Sequence, residues 1–565
     1  MHEELRNPTA HPNPFGEFTP RSIQCLRHYS KNTFVSDLIA GITVGLVALP
    51  LAMAFAIASG VPPQAGLYTA IVAGFLISAL GGSRTQIGGP TGAFVIVVYG
   101  IIAQYGMDGL YTCTCMAGVI LVIMGLGKFG TAVKFIPRPV VIGFTNGIAI
   151  LIVSTQLKDF FGLAIDKTHG DFIGRIAAVF HTFGTLNVAA TSLSVLALAA
   201  LILIRNYLPR IPGPIVVLIF GTAAAALFDL PVQTIHSQFG DIPRGLPEFH
   251  IPTFRSDLFF TLLSPAITVA MLGAIESLLS AVVADRMSGD KHNSNMELFA
   301  QGVANMASPL FGGLPATGAI ARTATNIRSG ASTPVAGMVH ALTLLVILLL
   351  GAPLAGHIPL GILAAILLIV AYNMGEWSQV PEILRLSPAS VVVWAITFAL
   401  TVFADLTVAV EAGLAMAALL YIRKVTNTTT LEKVTPQYIE EDAEHSLHLN
   451  TLPEGAVLYR IHGPFLFGAT EKLQVIYDEM DSLPPIIILR LWNMTAIDAT
   501  GIHELQNLAK ALRKSGRTLL IGGLRDQPKK MLENAEFHRI IGSDNICTSL
   551  RTAVSRAKFL LEQKS

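Results

Sequence analysis

Charge is scarce in this chain of 565 residues, of which Asp, Glu, Lys and Arg make up only 13%, against roughly 25% in ordinary soluble domains. A soluble globular protein of this length is thereby excluded. The formal net charge of +1 leaves no overall field to attract nucleic acid, and no nucleic-acid partner is expected. Cysteine is rare too. Cys25, Cys113, Cys115 and Cys547 are too few for a disulfide framework and lack zinc spacing, so Cys113 and Cys115 are read as packing or lipid-side residues. No nucleophile stands beside a paired base and no cluster of metal ligands occurs, so no catalytic residue, metal or cofactor is assigned and an enzyme is not expected. The N-terminal stretch MHEELRNPTAHPNPFGEFTP has no apolar core; residues 1–34 are expected to be a cytoplasmic segment and not a cleaved signal peptide.

What the chain does have is apolar sequence, 52% of it hydrophobic. Turn signals cut the run from Val35 to Arg423 into segments near the bilayer length of about 20 residues. Fourteen are read, at 35–58, 62–80, 89–104, 108–127, 139–157, 186–204, 211–229, 258–284, 296–312, 319–330, 332–351, 359–374, 388–404 and 405–423. The fold class is therefore an α-helical polytopic membrane protein surrounded by lipid, with residues 35–424 as its membrane domain. With a cytoplasmic N-terminus the inner loops would hold Arg84, then Lys128, Lys134 and Arg138, then Arg205 and Arg210, then Arg286 and Lys291, then Arg328 and Arg385, with Arg423 and Lys424 at the exit. That satisfies the positive-inside rule and places both termini in the cytoplasm. Lys158, Lys167, Arg175, Arg244 and Arg255 fall in two long outer loops, where the rule is weakest.

Two of the fourteen stretches are short, the third and the tenth, and they share a design. Gly81 to Phe94 reads GGSRTQIGGPTGAF, and Gly312 to Gly330 reads GGLPATGAIARTATNIRSG. Each is a Gly-Gly pair, a loop, and a helix opening on small residues and threonine: Thr91 in one, Thr323 and Thr325 in the other. Half-helices in corresponding positions of two halves aim positive N-termini at an anion near the midplane. Arg322 adds a full charge and a forked donor set suited to a carboxylate or oxyanion; the alternative is a snorkelling arginine on a Gly-rich loop.

Pro50 breaks the first span, and irregular backbone at that depth is tolerated only against protein or a water-lined cavity. Phe55, one turn on, is a cavity wall or a lipid-facing aromatic. The eighth span, AITVAMLGAIESLLSAVVAD, carries Glu276 with Ser277 and Ser280 a turn around it. An intramembrane carboxylate is costly and marks function by default. Glu276 is read as the carrier of a coupling proton or, with hydroxyl and carbonyl oxygens, as part of a Na+ site; the structural alternative is an ion pair with Arg322. Asn146, His340 and Glu411 are expected to be satisfied by neighbouring helices, Asp405 to be interfacial, and ADRMSGDKHNSN, with Asp285, Arg286 and His292, to be a solvated turn without a metal role.

After Lys424 the composition turns polar. A linker at 425–437 leads to alternating signals over 438–565: strands at 456–461, 485–491 and 518–522, helices near 468–482, 499–515, 527–536 and 548–562. That alternation argues a small α/β domain. In AIDATGIHEL Asp498 and Thr500 meet a helix start, where Thr500 serves as N-cap or as a regulatory phosphoacceptor.

Taken together, PLAMAFAIASGVPPQAGLY, GGPTGAF, GFTNG, AMLGAIESLLSAVVAD, GGLPATGAIARTATNIRSGA and the later DATG resemble the SulP (sulfate permease) anion transporters over nearly the whole chain. The resemblance implies two inverted seven-span repeats, a core domain moving against a gate domain, a C-terminal STAS domain and dimerisation. It places a small anionic substrate against Phe55, Thr91, Gly92, Ala93, Ala321, Arg322 and Thr323, near Glu276. Leu51 and Ala321 stand where some relatives carry glutamine and serine, and Ala499 and Thr500 replace the two serines of the phosphorylated motif of anti-sigma-factor antagonists. AMLGAIESLL, GDKHNSN and AIARTATNIRSGA are similar to the bacterial subgroup that takes up four-carbon dicarboxylates. The expectation is H+-coupled uptake of succinate, fumarate or aspartate, with sulfate or bicarbonate transport, Na+ coupling or an anion channel as alternatives, and a cytoplasmic partner for the STAS domain.

Overall fold

The computed structural model describes residues 18–563 apart from 28, 131–136, 166–170, 209–211, 244, 250, 254, 386, 405 and 435–451. Lys134, Lys167, Arg210, Arg244 and Asp405, each given a place above, lie outside the described residues, as does the side chain of Glu411. The chain divides into two compact units, Met1–Ala415 and Met416–Ser565.

The first unit is helical. In chain order its helices are α1 (Arg21–Leu26), α2 (Lys31–Ala58), α3 (Pro63–Leu80), α4 (Gly92–Leu126), α5 (Arg138–Phe161), α6 (Phe172–His181), α7 (Val188–Tyr207), α8 (Gly213–Leu227) and α9 (Ile235–Phe239). There follow α10 (Phe259–Ser288), α11 (Ser294–Ala307), α12 (Ile320–Arg328), α13 (Val335–Ala355), α14 (Leu360–Met374), α15 (Val380–Arg385), α16 (Pro388–Phe403) and α17 (Leu406–Thr428). Each apolar stretch marked in the sequence coincides with a helical segment, the third and fourth being the two arms of α4, joined at a kink where Gly106 takes φ 70°. Eight of the described helices are long and apolar enough to cross a membrane. The outer surface is apolar, as contact with lipid requires: Phe260 is 87% exposed and Leu227 82%.

These helices sort into two bundles by what they touch. In the first, α2, α3, α4, α10, α11, α12 and α13 pack on one another; in the second, α5, α7, α8, α14 and α16 do so, with Gly413 of α17 against Val140 and Thr397. Small residues let backbones meet, which in lipid replaces the hydrophobic drive for association. A Cβ on Gly66 of α3 would lie 1.9 Å from the Ala52 carbonyl oxygen of α2, and one on Gly302 of α11 would lie 2.6 Å from the Gly118 oxygen of α4. Neither site admits a side chain without moving a helix.

The loop read as a solvated turn is half helix, because α10 runs on to Ser288. His292 is not solvated. Its side chain is 6% exposed, with Nδ1 2.7 Å from Asp285 and Nε2 2.9 Å from Ser294 Oγ. The outer-loop reading also changes: Lys158 lies within α5, Arg175 is buried in α6, and Arg255 pairs with Asp257 at 2.7 Å.

The second unit carries a six-stranded sheet of β3 to β8, since β1 (Gly88–Gly89) and β2 (Thr317–Gly318) belong to the first unit. Its strands are β3 (Thr430–Lys433), β4 (Ala456–Phe465), β5 (Ile486–Arg490), β6 (Met494–Ile497), β7 (Thr518–Gly522) and β8 (Ile546–Cys547). Its helices are α18 (Gln474–Asp478), α19 (Ala499–Lys514), α20 (Asp526–Asn534), α21 (His538–Ile541) and α22 (Leu550–Glu562). Strands β4, β5, β7 and β8 pair in parallel, and only β3 is antiparallel. The central strand is apolar throughout because both its faces are covered: Ile487 and Leu489 pack with Leu505 and Leu508 of α19, Ile486 and Ile488 with Ala553 and Ala557 of α22.

Strand β3 lies inside the stretch read as linker; its charged and threonine side chains hide an edge strand from a hydrophobicity count. Lys433 on that edge lies 2.7 Å from Glu479, which also accepts from the Tyr459 hydroxyl at 2.9 Å, and these bonds hold the Glu479 carboxyl below its usual range. The N-cap of α19 is Asp498, not Thr500. Its carboxylate accepts from Gly501 N of the first turn at 2.8 Å and from Phe467 N of a neighbouring loop at 2.9 Å, because Asp498 stands one residue before the helix, where a side-chain oxygen reaches the open N–H groups, while Thr500 already sits in the first turn.

Candidate functional site

The two Gly-rich loops meet. Gly88–Gly89 pairs antiparallel with Thr317–Gly318, Gly88 opposite Gly318 and Gly89 opposite Thr317. Helix α4 starts three residues beyond one strand, at Gly92, and α12 two residues beyond the other, at Ile320. This clasp fixes two helix N-termini around one point, each with unpaired N–H groups and partial positive charge.

Side chains brace the clasp. Thr323 Oγ1 accepts from Ile87 N at 3.0 Å, Ala319 N donates to Ile87 O at 2.8 Å, Asn326 donates to Thr85 O at 2.9 Å and Thr317 donates to Gly273 O at 2.8 Å. Thr323 is thus a brace, and its own N–H is already bonded to Ala319 O at 2.9 Å. The open turn of α12 is Ile320–Arg322, one residue earlier than the sequence suggests.

Arg322 is 2% exposed. One guanidinium nitrogen, Nη2, donates to Pro90 O at 2.5 Å, while Nη1 is buried with no hydrogen-bond partner among the described residues. An orphaned donor on a buried cation is expensive, so the site holds a charge that folding alone does not satisfy. Among the described residues no ion pair joins Arg322 to Glu276; the structural alternative does not form. Glu276 instead accepts from Thr91 Oγ1 at 2.8 Å. That bond takes the threonine away from capping its own helix and ties α10 to the start of α4.

Phe55 is a wall. It is 5% exposed, and a Cβ on Gly92 would lie 3.3 Å from its Cε1 and 3.0 Å from Ile152 Cδ1. Ala93 is buried at 1%, and Ala321 is exposed at the open turn. Phe55, Thr91, Gly92, Glu276 and Arg322 are therefore brought together. Ser277 and Ser280 are not at Glu276: Ser280 Oγ is 3.1 Å from Thr323 Oγ1, and Ser277 accepts from Gln86 at 3.1 Å and donates to Glu297 at 3.3 Å. Asn146 is satisfied, by Gly375 O and by Trp394 Nε1 at 2.9 Å. His340 is not, for both ring nitrogens are buried without a hydrogen-bond partner among the described residues.

The backbone at Gly89 sets how close the guanidinium comes. Its φ is +147°, and a Cβ there would lie 2.7 Å from Arg322 Nη1. Gly89→Ala is expected to leave the protein folded yet cut transport by at least roughly tenfold, since a misplacement of about 1 Å at a working group has that order of effect. Gly100→Ala is the control, because a Cβ at Gly100 meets nothing within 4 Å. Uptake rates of the two variants in proteoliposomes check this.

Two buried acids passed over in the sequence hold the surroundings. Glu297, 0% exposed, accepts from Gly82 N at 2.9 Å, Ser83 N at 3.2 Å, Gln301 at 3.0 Å and Ser277. Asp37, also 0% exposed, accepts from Ser332 N at 2.8 Å, Thr333 N at 3.2 Å and Tyr29 at 3.1 Å. The signal was present as acids inside otherwise apolar spans; their partners are loop N–H groups far away in sequence.

Comparison with known proteins identifies the family and the fold. Residues 34–397 match the sulfate permease family and residues 450–553 the STAS domain. The chain is 44% identical over 516 residues to the putative sulfate transporter YvdB of Bacillus subtilis, covering 91% of this chain and 96% of that one. It is 31% identical to the bicarbonate transporter BicA of Picosynechococcus, covering 92% and 94%. The solved transmembrane domain of a cyanobacterial BicA superposes with a TM-score of 0.60 at 34% identity, over 69% of this chain and 98% of that one. Murine Slc26a9, an anion transporter, superposes with a TM-score of 0.86 over 99% and 97% at 20% identity, a likeness of fold. The chain belongs to the sulfate permease family: it is a multi-pass membrane anion transporter with a C-terminal STAS domain, and not an enzyme.

Proposed function

We propose that the chain is a secondary transporter that moves a small oxyanion by alternating access, binding it where the starts of α4 and α12 meet. The observation that carries this is the buried Arg322 guanidinium with one nitrogen unpaired beside the clasp: an anion supplies the missing acceptor. Phe55, Thr91, Gly92, Ala93, Ala321, Arg322 and Thr323 form or brace the substrate site, and Glu276, linked to it through Thr91, carries the coupling to H+ or Na+. The first bundle holds the whole site, so it would move it against the second in an elevator-like step.

The relatives bear sulfate and bicarbonate in their names, which moves the substrate reading from four-carbon dicarboxylates toward inorganic oxyanions. Dicarboxylates remain the second reading, on the strength of AMLGAIESLL, GDKHNSN and AIARTATNIRSGA. The same reading takes the chain as a bacterial inner-membrane dimer of fourteen spans in two inverted repeats with both termini cytoplasmic. Residues 35–424 are its transport domain, 425–437 its linker and 438–565 its STAS domain, with Asp498 and Thr500 as the regulatory position toward a cytoplasmic partner.

Flux into proteoliposomes of labelled sulfate, bicarbonate and succinate, at two pH values with and without Na+, tests it. Saturable uptake of one anion driven by a H+ or Na+ gradient is expected; currents beyond carrier turnover would make the protein a channel. Glu276→Gln is expected to keep substrate exchange while losing the response to the driving gradient. An unaltered gradient response in that variant removes the carboxylate from coupling.

A further inference from the structure

The end of α17 is packed into the second unit, Met416–Ser565. A Cβ on Gly468 would lie 3.0 Å from Thr426 Oγ1, and one on Gly463 would lie 3.0 Å from the Thr428 carbonyl oxygen. Thr429 Oγ1 donates to Pro464 O at 2.6 Å. The last turn of the helix is therefore fixed against β4 and the loop that follows it.

The same helix marks where the apolar stretch 405–423 stops. Leu419 is exposed and apolar, Tyr421 is an exposed aromatic, and Arg423 and Lys424 are exposed cations. That is the order in which a helix leaves hydrocarbon, crosses the aromatic belt and reaches the cytoplasmic side. Thr426 follows Lys424 by two residues, about 3 Å along the axis, and the headgroup region of one leaflet is about 5–8 Å deep. The loop that Thr426 touches thus lies at headgroup level.

This edge of the sheet carries the groups that such a surface attracts. Phe467, beside Gly468, is 70% exposed and Trp492 is 52% exposed; they stand just past the carboxyl ends of β4 and β5. Asn493 O accepts from Gly463 N at 3.1 Å, which places Trp492 next to the strand that Thr428 meets. Arg525 Nε donates to the Trp492 carbonyl at 2.9 Å, and Lys529 and Lys530 are exposed near the start of α20. With Arg423 and Lys424, these cations outnumber Asp526 and Asp498, the second already engaged by Gly501 N and Phe467 N, while Glu471 and Lys472 cancel. Exposed aromatic rings flanked by cations match an interface whose lipids are anionic, where each basic residue adds to the attraction.

We infer that the carboxyl edge of the STAS sheet is a membrane-docking surface: Phe467 and Trp492 enter the headgroup layer, and Arg525, Lys529 and Lys530 take anionic phospholipid. The position of the domain then depends on the charge of the leaflet. The inference rests on the reading of residues 405–423 as the last membrane span.

The test uses the full chain in liposomes. Trp377, Trp394 and Trp492 are its three tryptophans; all are replaced by Phe, and a single tryptophan is then placed at 467, 492, 419 or 514. Leu419→Trp reports on the span. Lys514→Trp lies at the far end of the 16-residue α19, about 24 Å from the docking edge by the helix rise. A lipid with a nitroxide on its headgroup is the quencher, in phosphatidylcholine vesicles with or without anionic phosphatidylglycerol, and retained anion uptake shows that each variant is folded. Tryptophan at 467 and at 492 is expected to be quenched several-fold more than at 514 when phosphatidylglycerol is present, and less without it. Lys529→Gln combined with Lys530→Gln is expected to lower the ratio of quenched to unquenched Trp492, read from fluorescence lifetimes, roughly 30-fold, which is about 2 kcal/mol at about 1.4 kcal/mol per tenfold. Quenching at 467 and 492 no greater than at 514, with Leu419→Trp quenched, overturns the docking surface and leaves that edge to a protein partner. Quenching indifferent to phosphatidylglycerol or to the lysine changes overturns the recognition of anionic lipid. An unquenched Leu419→Trp removes the span reading, and the inference with it.

Discussion

Arg322→Ala is expected to abolish saturable anion uptake while leaving thermal stability unchanged or raised. The two halves of that result have one cause. The guanidinium is buried with Nη1 unpaired, so it costs the resting fold free energy that only a bound anion offsets. Losing one partner of a desolvated, hydrogen-bonded charge pair costs about 2–5 kcal/mol, which at about 1.4 kcal/mol per tenfold is a drop in apparent affinity of roughly 30- to 3,000-fold. Stability moves the other way, because an unpaired buried charge has been removed. Arg322→Lys keeps the charge but loses the fork that reaches Pro90 and the ligand together, and it is expected to recover only a small part of uptake. Uptake and unfolding midpoints of the two variants in lipid or detergent settle the matter. Uptake like that of the unaltered protein in Arg322→Ala would remove the central site from the mechanism.

Glu297→Ala is expected to give the opposite signature: the largest loss of stability among these variants, with activity falling because little folded protein remains. Glu297 is the acceptor for two backbone N–H groups, Gly82 and Ser83, and for the side chains of Gln301 and Ser277, all buried. Deleting it leaves four donors facing no acceptor, a loss of about 3–5 kcal/mol for a broken buried network around a charge. Glu297→Gln retains one acceptor oxygen and is expected to fall between. The loop that Glu297 anchors runs from Gly82 into the Gln86–Ser277 contact and then into the clasp, so the surviving folded fraction is also expected to bind anion more weakly. A thermal midpoint within a degree or two of the unaltered protein would show that the network is dispensable.

The contrast between Arg322 and Glu297 also marks how far sequence reading reaches. Arg322 stands out because a cation within an apolar run has no local partner and breaks the composition around it. Glu297 is equally anomalous, in NSNMELFAQG, yet it opens a helix, where an acid is ordinary. Only the distant Gly82 and Ser83 make it a clamp. The same holds for Asp37, whose partners at Ser332 and Thr333 lie across the chain. Ser277 and Ser280 were grouped with Glu276 from helical spacing, but spacing gives the direction a side chain leaves its helix and not what waits there; Gln86 and Thr323 had already engaged them. Arg175 was assigned to a loop by its distance from the spans, and α6 buries it instead.

The sequence by itself determined the helical membrane class, the positions of the apolar stretches, the α/β domain that follows, the two Gly-rich loops and the lone arginine. These follow from periodicity and from the cost of polar groups in hydrocarbon, both of which act along the chain. Tertiary structure alone decided that the two loops pair as strands, that Arg322 turns to Pro90 and leaves one nitrogen open, and that Glu276 answers to Thr91. Such facts depend on contacts between residues some 200 positions apart, where local preference has nothing to say and packing of small residues chooses the partner.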